Sequence, residues 1–390
     1  MEIKTKYRKV LVYILTIVFS SIFLFAANKY IMRDFSIFTV AEDSGSAKAA
    51  VLNITDRHEY KTNYYADGEY VEGIEISFNC RILDGEHENE IVRAVQKIDS
   101  FDNIKYKEVE TGDKVILYNV GGGDSKNIVW DFAEYIRTDN IILLGIVFLI
   151  LLILFGGIKG VNTIVSLLFT CLAVFFVFIP SVLSGHNIYV WSIITCLFTI
   201  VMTLLIVNGA NKKSIAAMSG CFIGVLIAGV LTIFMSRVLM LTGMVNEEAV
   251  YITMIDSSKP IDLKAIIFAA IIIGAMGAVM DVAMSVSSSL YELYRKANVK
   301  SVKSLIGSGF SIGRDIMGTM ANTLVLAYIG SSLSTVLLLV TYNTSYTELF
   351  NREMVIVEIL QSLVGSMGIL AAIPLTSVIC GVFYVKVGKK

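Results

Sequence analysis

An aspartate deep inside a long apolar segment, Ile266 to Lys296, is the residue of this chain best placed to do chemistry. A carboxylate at such a position is costly unless it is paired or hydrated, so Asp281 is a candidate for binding a proton or a cation. Gly274, Gly277, Asp281, Ser285 and Ser288 recur at intervals of three and four, which puts them on one helical face. Ile271, Ile272, Val279, Val282 and Val286 supply lipid-compatible surface elsewhere. A helix built this way packs its small, polar stripe against another helix or lines a wet cavity.

A second segment, Gly309 to Val340, carries the expected partner groups. Thr319, Asn322, Thr323, Gly330 and Ser334 fall on or near one face, and the chain direction places Asn322 at a depth similar to that of Asp281. Arg314 and Asp315 come just before, among Gly307, Gly309, Gly313 and Gly318. Such an approach can bend back, dip into the membrane or end a helix. Arg314 is the expected counter-ion of Asp281; the plainer alternative is a pair with Arg314 or Asn322 that only fixes helix packing. In the last apolar segment Glu358, Gln361 and Gly365 share a face, and Glu358 either lines a site or snorkels to the surface. Pro374 is expected to kink that helix. Gly220 and Gly224 imply close helix packing, and Gly156 to Gly160 a tight hairpin.

These residues must be positioned by a membrane bundle. Hydrophobic residues make up 55% of the chain and mean hydropathy is +0.72, too apolar for a soluble domain of this length. Runs near the roughly 20 residues a bilayer requires fall at about 10–27, 141–158, 161–183, 188–208, 214–236, 264–290, 318–342 and 355–384. Eight spans place both termini on one side. Lys4, Lys6, Arg8, Lys9, Lys159, Lys212, Lys213, Arg295, Lys296, Lys300, Lys303 and Arg314 then fall on the cytoplasmic side with the C-terminal lysines. The first run exceeds the usual signal-peptide core and lacks a clean A-x-A site, so it is expected to stay as an anchor.

Residues 28–139 are the long polar stretch, placed outside by this topology. AAVLNI (49–54), YVEGIEISFNCRIL (70–83), DKVILYNV (113–120) and IVWDFAEYI (128–136) read as strands between turn signals, and NEIVRAVQKI (89–98) as a short amphipathic helix. The expectation is a small extracytoplasmic β-rich domain, an OB-like barrel in its sharpest form, followed by a seven-helix bundle over 140–390.

Several function classes are excluded. There is no G-x-x-x-x-G-K-[ST], H-E-x-x-H or C-x-x-C motif. His87 with Glu88 and Glu90 lacks the spacing of a metal site, and no cofactor or enzymatic activity is expected. A net charge of −1 gives no general affinity for nucleic acid. Four of the five cysteines lie in apolar runs, leaving Cys80 alone in the exported domain with no disulfide framework.

DVAMSVSSSLYEL (281–293), GRDIMGTMANTLVLAYIG (313–330), GGIKG (156–160) and IPLTS (373–377) together resemble the YibE/F family of bacterial membrane proteins, from about Arg137 to the C-terminus. The exported domain resembles the longer, YibE-type members. The resemblance implies a multi-pass, permease-like protein of the bacterial plasma membrane with no agreed substrate, working in the lipid bilayer with a YibF-like second subunit or as a homo-oligomer. The expected function is a secondary transporter of a small solute or ion. Asp281 would exchange a proton or cation, Arg314 and Asn322 would tune it, and Ser285 and Ser288 would line the path. Thr319, Asp315, Glu358 and Gln361 complete the candidate set. The alternative is a non-transporting scaffold or export accessory whose exported domain binds a partner.

Overall fold

A computed structural model describes residues 2–32, 45–63, 70–85, 87–99, 107–120, 130–255, 260–296, 301–342 and 345–387. The chain divides into two compact units, residues 38–151 and residues 1–37 together with 152–390. Lys300, expected on the cytoplasmic side, lies outside the described residues.

In the smaller unit, β1 (Ser46–Asn63), β2 (Tyr70–Ile82), β3 (Ile91–Asp99), β4 (Lys114–Asn119) and β5 (Trp130–Tyr135) form a closed barrel in the order β1-β2-β3-β5-β4. β1 serves two neighbours, pairing antiparallel with β2 along most of its length and with β4 through Ser46–Ala50. Irregularities between Val51 and Asn53 and between Ile54 and Asp56 give it the bend this requires. β3 and β5 meet in parallel at Ala94–Trp130 and Val95–Asp131. Alternate residues point inward, as a period-2 strand demands: Ala47, Ala49 and Val51, then Phe78, Cys80 and Ile82, then Val115 and Leu117. Gln96 is buried among them, yet satisfied. Its Oε1 accepts from the Val109 amide at 2.8 Å and its Nε2 donates to the Lys107 carbonyl at 3.1 Å.

The helix expected at 89–98 is corrected, because residues 91–99 are β3. Ala94, Gln96 and Ile98 are buried while Ile91, Arg93 and Lys97 are exposed, the alternation of a strand, although the apolar Ile91, Val92, Ala94, Val95 and Ile98 also fall at helical spacing. Pairing with β2 from Gly73–Asp99 to Arg81–Ile91 decides for the strand, since sheet context overrides weak local preference. Burial pushes the Cys80 thiol up to about 11. The prediction is that Cys80 resists thiol reagents at pH 8 in the folded protein and reacts fully in denaturant, because only the thiolate attacks. Fast native-state labelling would contradict the buried placement.

The larger unit contains α1 (Glu2–Ile31), and the chain resumes with α2 (Thr138–Gly156), which runs from one unit into the other. Next come α3 (Ile158–Ala173), a π-helical turn (Val174–Phe178) and α4 (Ile179–Leu183). α5 (Ile188–Asn208), α6 (Lys212–Val238), α7 (Glu247–Met254) and α8 (Leu263–Lys296) follow. The last elements are α9 (Val302–Ser331), α10 (Leu333–Tyr342), α11 (Tyr346–Asn351) and α12 (Glu353–Val387). Among the described residues seven helices are long and apolar enough to cross a membrane: α1, α2, the α3–α4 run, α5, α6, α8 and α12. None of the residues of α2 is buried, which suits a helix solvated by lipid.

α1 is packed into its unit. Thr16, Ser20, Leu24, Ala27 and Ile31 bury a stripe at helical spacing, and Phe23 stacks on Phe198 with ring centroids 4.6 Å apart. Its Asn28 Nδ2 donates to the Phe176 carbonyl of the π-helical turn at 2.6 Å. α5, α6, α8, α9 and α12 share one core. Gly220 and Gly224 of α6 do what their spacing implies: a Cβ at Gly220 would strike Thr376 of α12, and one at Gly224 would press on Val279, Ala372 and Gly368. Ser287 of α8 donates its Oγ to the Lys213 carbonyl at 2.7 Å and lies 2.7 Å from the Tyr384 hydroxyl, tying α6, α8 and α12 together.

The expected single span at 318–342 is also corrected. α9 begins at Val302, capped by Ser301, and ends at Ser331, with Ser332 as its C-cap before α10 starts. Its 30 residues are long enough to cross a bilayer, but it is not among the seven apolar helices. The glycine-punctuated approach neither bends back nor ends a helix. A side chain at Gly309 would meet Ser377 and Leu290, and one at Gly313 would meet Ile373, so both permit close packing inside a continuous helix. α12 likewise runs unbroken through Pro374.

Candidate functional site

α8 is the helix the others surround, with its 34 residues spanning about 51 Å. Packing against α5, α6, α9 and α12 buries most of its circumference. One line stays accessible: Ala270, Gly274, Gly277, Asp281 and Ser285 are exposed and Ser288 is half-buried. The stripe read from spacing is therefore a real surface feature, and a side chain at Gly277 would meet nothing within 4 Å. Asp281 sits about midway along α8 and, among the described residues, makes neither an ion pair nor a hydrogen bond.

The anticipated partners do not gather there. α9 turns Leu305, Gly309, Gly313 and Leu324 inward, whereas Arg314, Asp315, Thr319 and Asn322 are exposed. At 100° per residue Asn322 lies about 160° around the helix from Leu324, so it points away from the packed side. Thr319 and Thr323 bond back to the Ile316 and Thr319 carbonyls of their own helix. No ion pair joins Asp281 to Arg314, and the expected Arg314 counter-ion is withdrawn.

What approaches the stripe comes from elsewhere. A Cβ at Gly274 would lie 2.7 Å from the Tyr328 hydroxyl of α9 and 3.8 Å from Nε2 of Gln361. The Tyr328 hydroxyl is buried and, among the described residues, has no hydrogen bond of good geometry. Gln361 and Glu358 of α12 line a cavity of about 460 Å³, which also reaches Ala270 of α8, Glu248 of α7 and the Ser331–Ser332 break after α9. Glu358 is half-buried in that wall, which favours the site reading over the snorkelling one. Ala270 lines the cavity, and Gly274, beside Tyr328 and Gln361, is the next small residue on the same face of α8. Asp281 lies about 10 Å further along α8.

The rim is held by another carboxylate. Glu353 accepts from the Thr242 and Gly243 amides at 2.7 and 2.6 Å and from the Thr242 hydroxyl at 2.7 Å, joining the α6–α7 loop to the start of α12. Neither Tyr328 nor Glu353 was foreseen. Tyr328 lies in an apolar LVLAYIG run that reads as core, and Glu353 stands in a charged stretch at the very start of its helix. Among the described residues no three His, Cys, Asp or Glu side chains form a group able to hold a metal, and His87 contacts Glu90 at 3.1 Å.

No curated protein and no solved structure matches this chain. A family model described as YibE/F-like protein does match, over residues 144–386, a span that takes in the seam between α2 and α3, the Asp281 stripe and nearly all of α12. With several helices long and apolar enough to cross a membrane among its described residues, the chain is a membrane protein and belongs to the YibE/F-like family.

Proposed function

We propose that this protein is a permease that moves a small cation or a proton-coupled solute along the exposed face of α8. The observation that carries the reading is that the Glu358 cavity reaches Ala270 of α8, the first residue of an exposed line that runs on through Gly274, Gly277, Asp281 and Ser285. The described walls of that cavity include Glu248 and Glu358 and no lysine or arginine, a composition that attracts cations and repels anions. An unpaired carboxylate at mid-helix suits a group that binds and releases a proton or cation, since such residues are costly to keep in a membrane otherwise. Tyr328 and Gln361 would form the constriction, while Ser285 and Ser288 would carry the path onward. Counting α9, whose 30 residues are long enough to span, as an eighth crossing, the basic-residue pattern supports cytoplasmic termini and an extracytoplasmic barrel, and the family supports the bacterial plasma membrane. The barrel order, with β3 parallel to β5, supports an OB-like type.

The test is purified full chain in liposomes holding a pH-sensitive dye. Imposed gradients of sodium, potassium, magnesium or manganese ions should change internal pH faster than in protein-free liposomes for at least one cation. If none does, the cation-coupled reading is lost. The second reading, a scaffold or export accessory, is favoured by the barrel's own closed core. It predicts a partner captured by the isolated 38–137 segment and no ion movement.

A further inference from the structure

A second cavity, of about 810 Å³, lies at the other end of the bundle. α6 and α12 run antiparallel, with Gly220 against Thr376 and Gly224 against Gly368, so the start of α6 is remote from Glu358 near the start of α12. The lining of this cavity is mixed. Leu205, Val207 and Val10 contribute apolar lining, and Lys213, Arg295, Asn162 and Tyr291 contribute polar groups. Glu292 is the acidic side chain in the lining, and it pairs with Lys296 at 3.3 Å. Among the described residues Lys213 and Arg295 make no ion pair. The cavity also receives the N-terminus of α6, whose cap Asn211 lines it and accepts from the Ser214 amide at 3.0 Å. That end of a 27-residue helix adds a partial positive charge to the two side chains.

We propose that this cavity binds the headgroup of an anionic phospholipid, with its phosphate between Lys213, Arg295 and the start of α6 and its acyl chains along the apolar lining. Three features select a lipid rather than a free anion. The cavity is amphiphilic, it lies at the end of membrane-crossing helices, and basic pockets between such helices are a recurrent way of holding anionic headgroups. Tyr291 suits the same boundary, because its ring is apolar and its hydroxyl wet. The site is independent of the Asp281 path and stands whether or not the protein transports anything.

The experiment uses purified full chain in mixed micelles of a neutral detergent with dioleoyl phosphatidylglycerol, dioleoyl phosphatidylcholine or inorganic phosphate. Phosphatidylglycerol should raise the melting temperature by several degrees, and the other two should not. Lys213→Gln with Arg295→Gln should abolish that difference, while the charge-conserving pair Lys213→Arg with Arg295→Lys should keep it. Native mass spectrometry of the wild type, offered both lipids equally, should retain phosphatidylglycerol over phosphatidylcholine by roughly 30-fold, the equivalent of about 1 kcal/mol for each basic residue. Equal retention of the two lipids overturns the proposal, as does a phosphatidylglycerol effect unchanged in the double Gln variant. Stabilisation by inorganic phosphate alone also overturns it, in favour of a free-anion site. Should the double Gln variant fail to fold, the wild-type competition decides.

Discussion

Asp281→Asn is expected to abolish cation-driven pH changes in liposomes while the protein stays inserted and melts close to the wild type. Asn keeps the size of the side chain and its hydrogen-bonding capacity but cannot ionise. Because Asp281 is exposed on α8 and has no ion-pair partner among the described residues, removing its charge strands no buried cation. A purely structural ion pair makes the opposite prediction, since an orphaned partner costs about 3–5 kcal/mol when buried. Loss of stability in Asp281→Asn would therefore contradict the unpaired geometry. Full flux in a stable variant would remove Asp281 from the mechanism.

The second large effect separates path from packing with two substitutions at glycines. Gly277→Trp should leave the melting temperature nearly unchanged, because the position is exposed and a Cβ added there meets nothing within 4 Å. It should nonetheless stop flux, since the indole would fill the stripe one turn before Asp281. Gly220→Leu should do the reverse kind of damage. Its Cβ already strikes Thr376, so α6 and α12 must separate at a cost on the order of 1–3 kcal/mol or more. Melting curves and flux rates for both variants decide the matter. Undiminished flux through Gly277→Trp would show that nothing passes along this face.

The parts of the site that were legible in the sequence are those where periodicity and chemistry coincide. Gly274, Gly277, Asp281 and Ser285 are small or polar at helical spacing inside an apolar run, and that pattern has few other meanings. The GxxxG of α6 was legible for the same reason. Residues on α9 were misread because the argument relied on composition. Thr319, Asn322 and Arg314 are polar near Asp281 in depth, but which side of α9 meets α8 is fixed by where Gly309 and Gly313 admit α12. The same glycines, read as a flexible approach, turned out to be contact points. Tyr328 was invisible because a tyrosine among leucines usually reads as core, and its role depends on Gly274 lying opposite. Residues 91–99 carried both a two-residue and a helical period, and their pairing with β2 is a long-range fact.

The most direct measurement of the central claim is water access to the α8 stripe. In a cysteine-free background, Gly277→Cys and, as a comparison, Leu363→Cys would be exposed in proteoliposomes to a charged, membrane-impermeant thiosulfonate. Leu363 is an apolar, exposed residue of α12, expected to face lipid. The account predicts rapid modification at position 277 and almost none at 363, because the reagent reaches only thiols in contact with water. Equal resistance at both positions would mean that the stripe is dry, and a cation path along α8 would be contradicted.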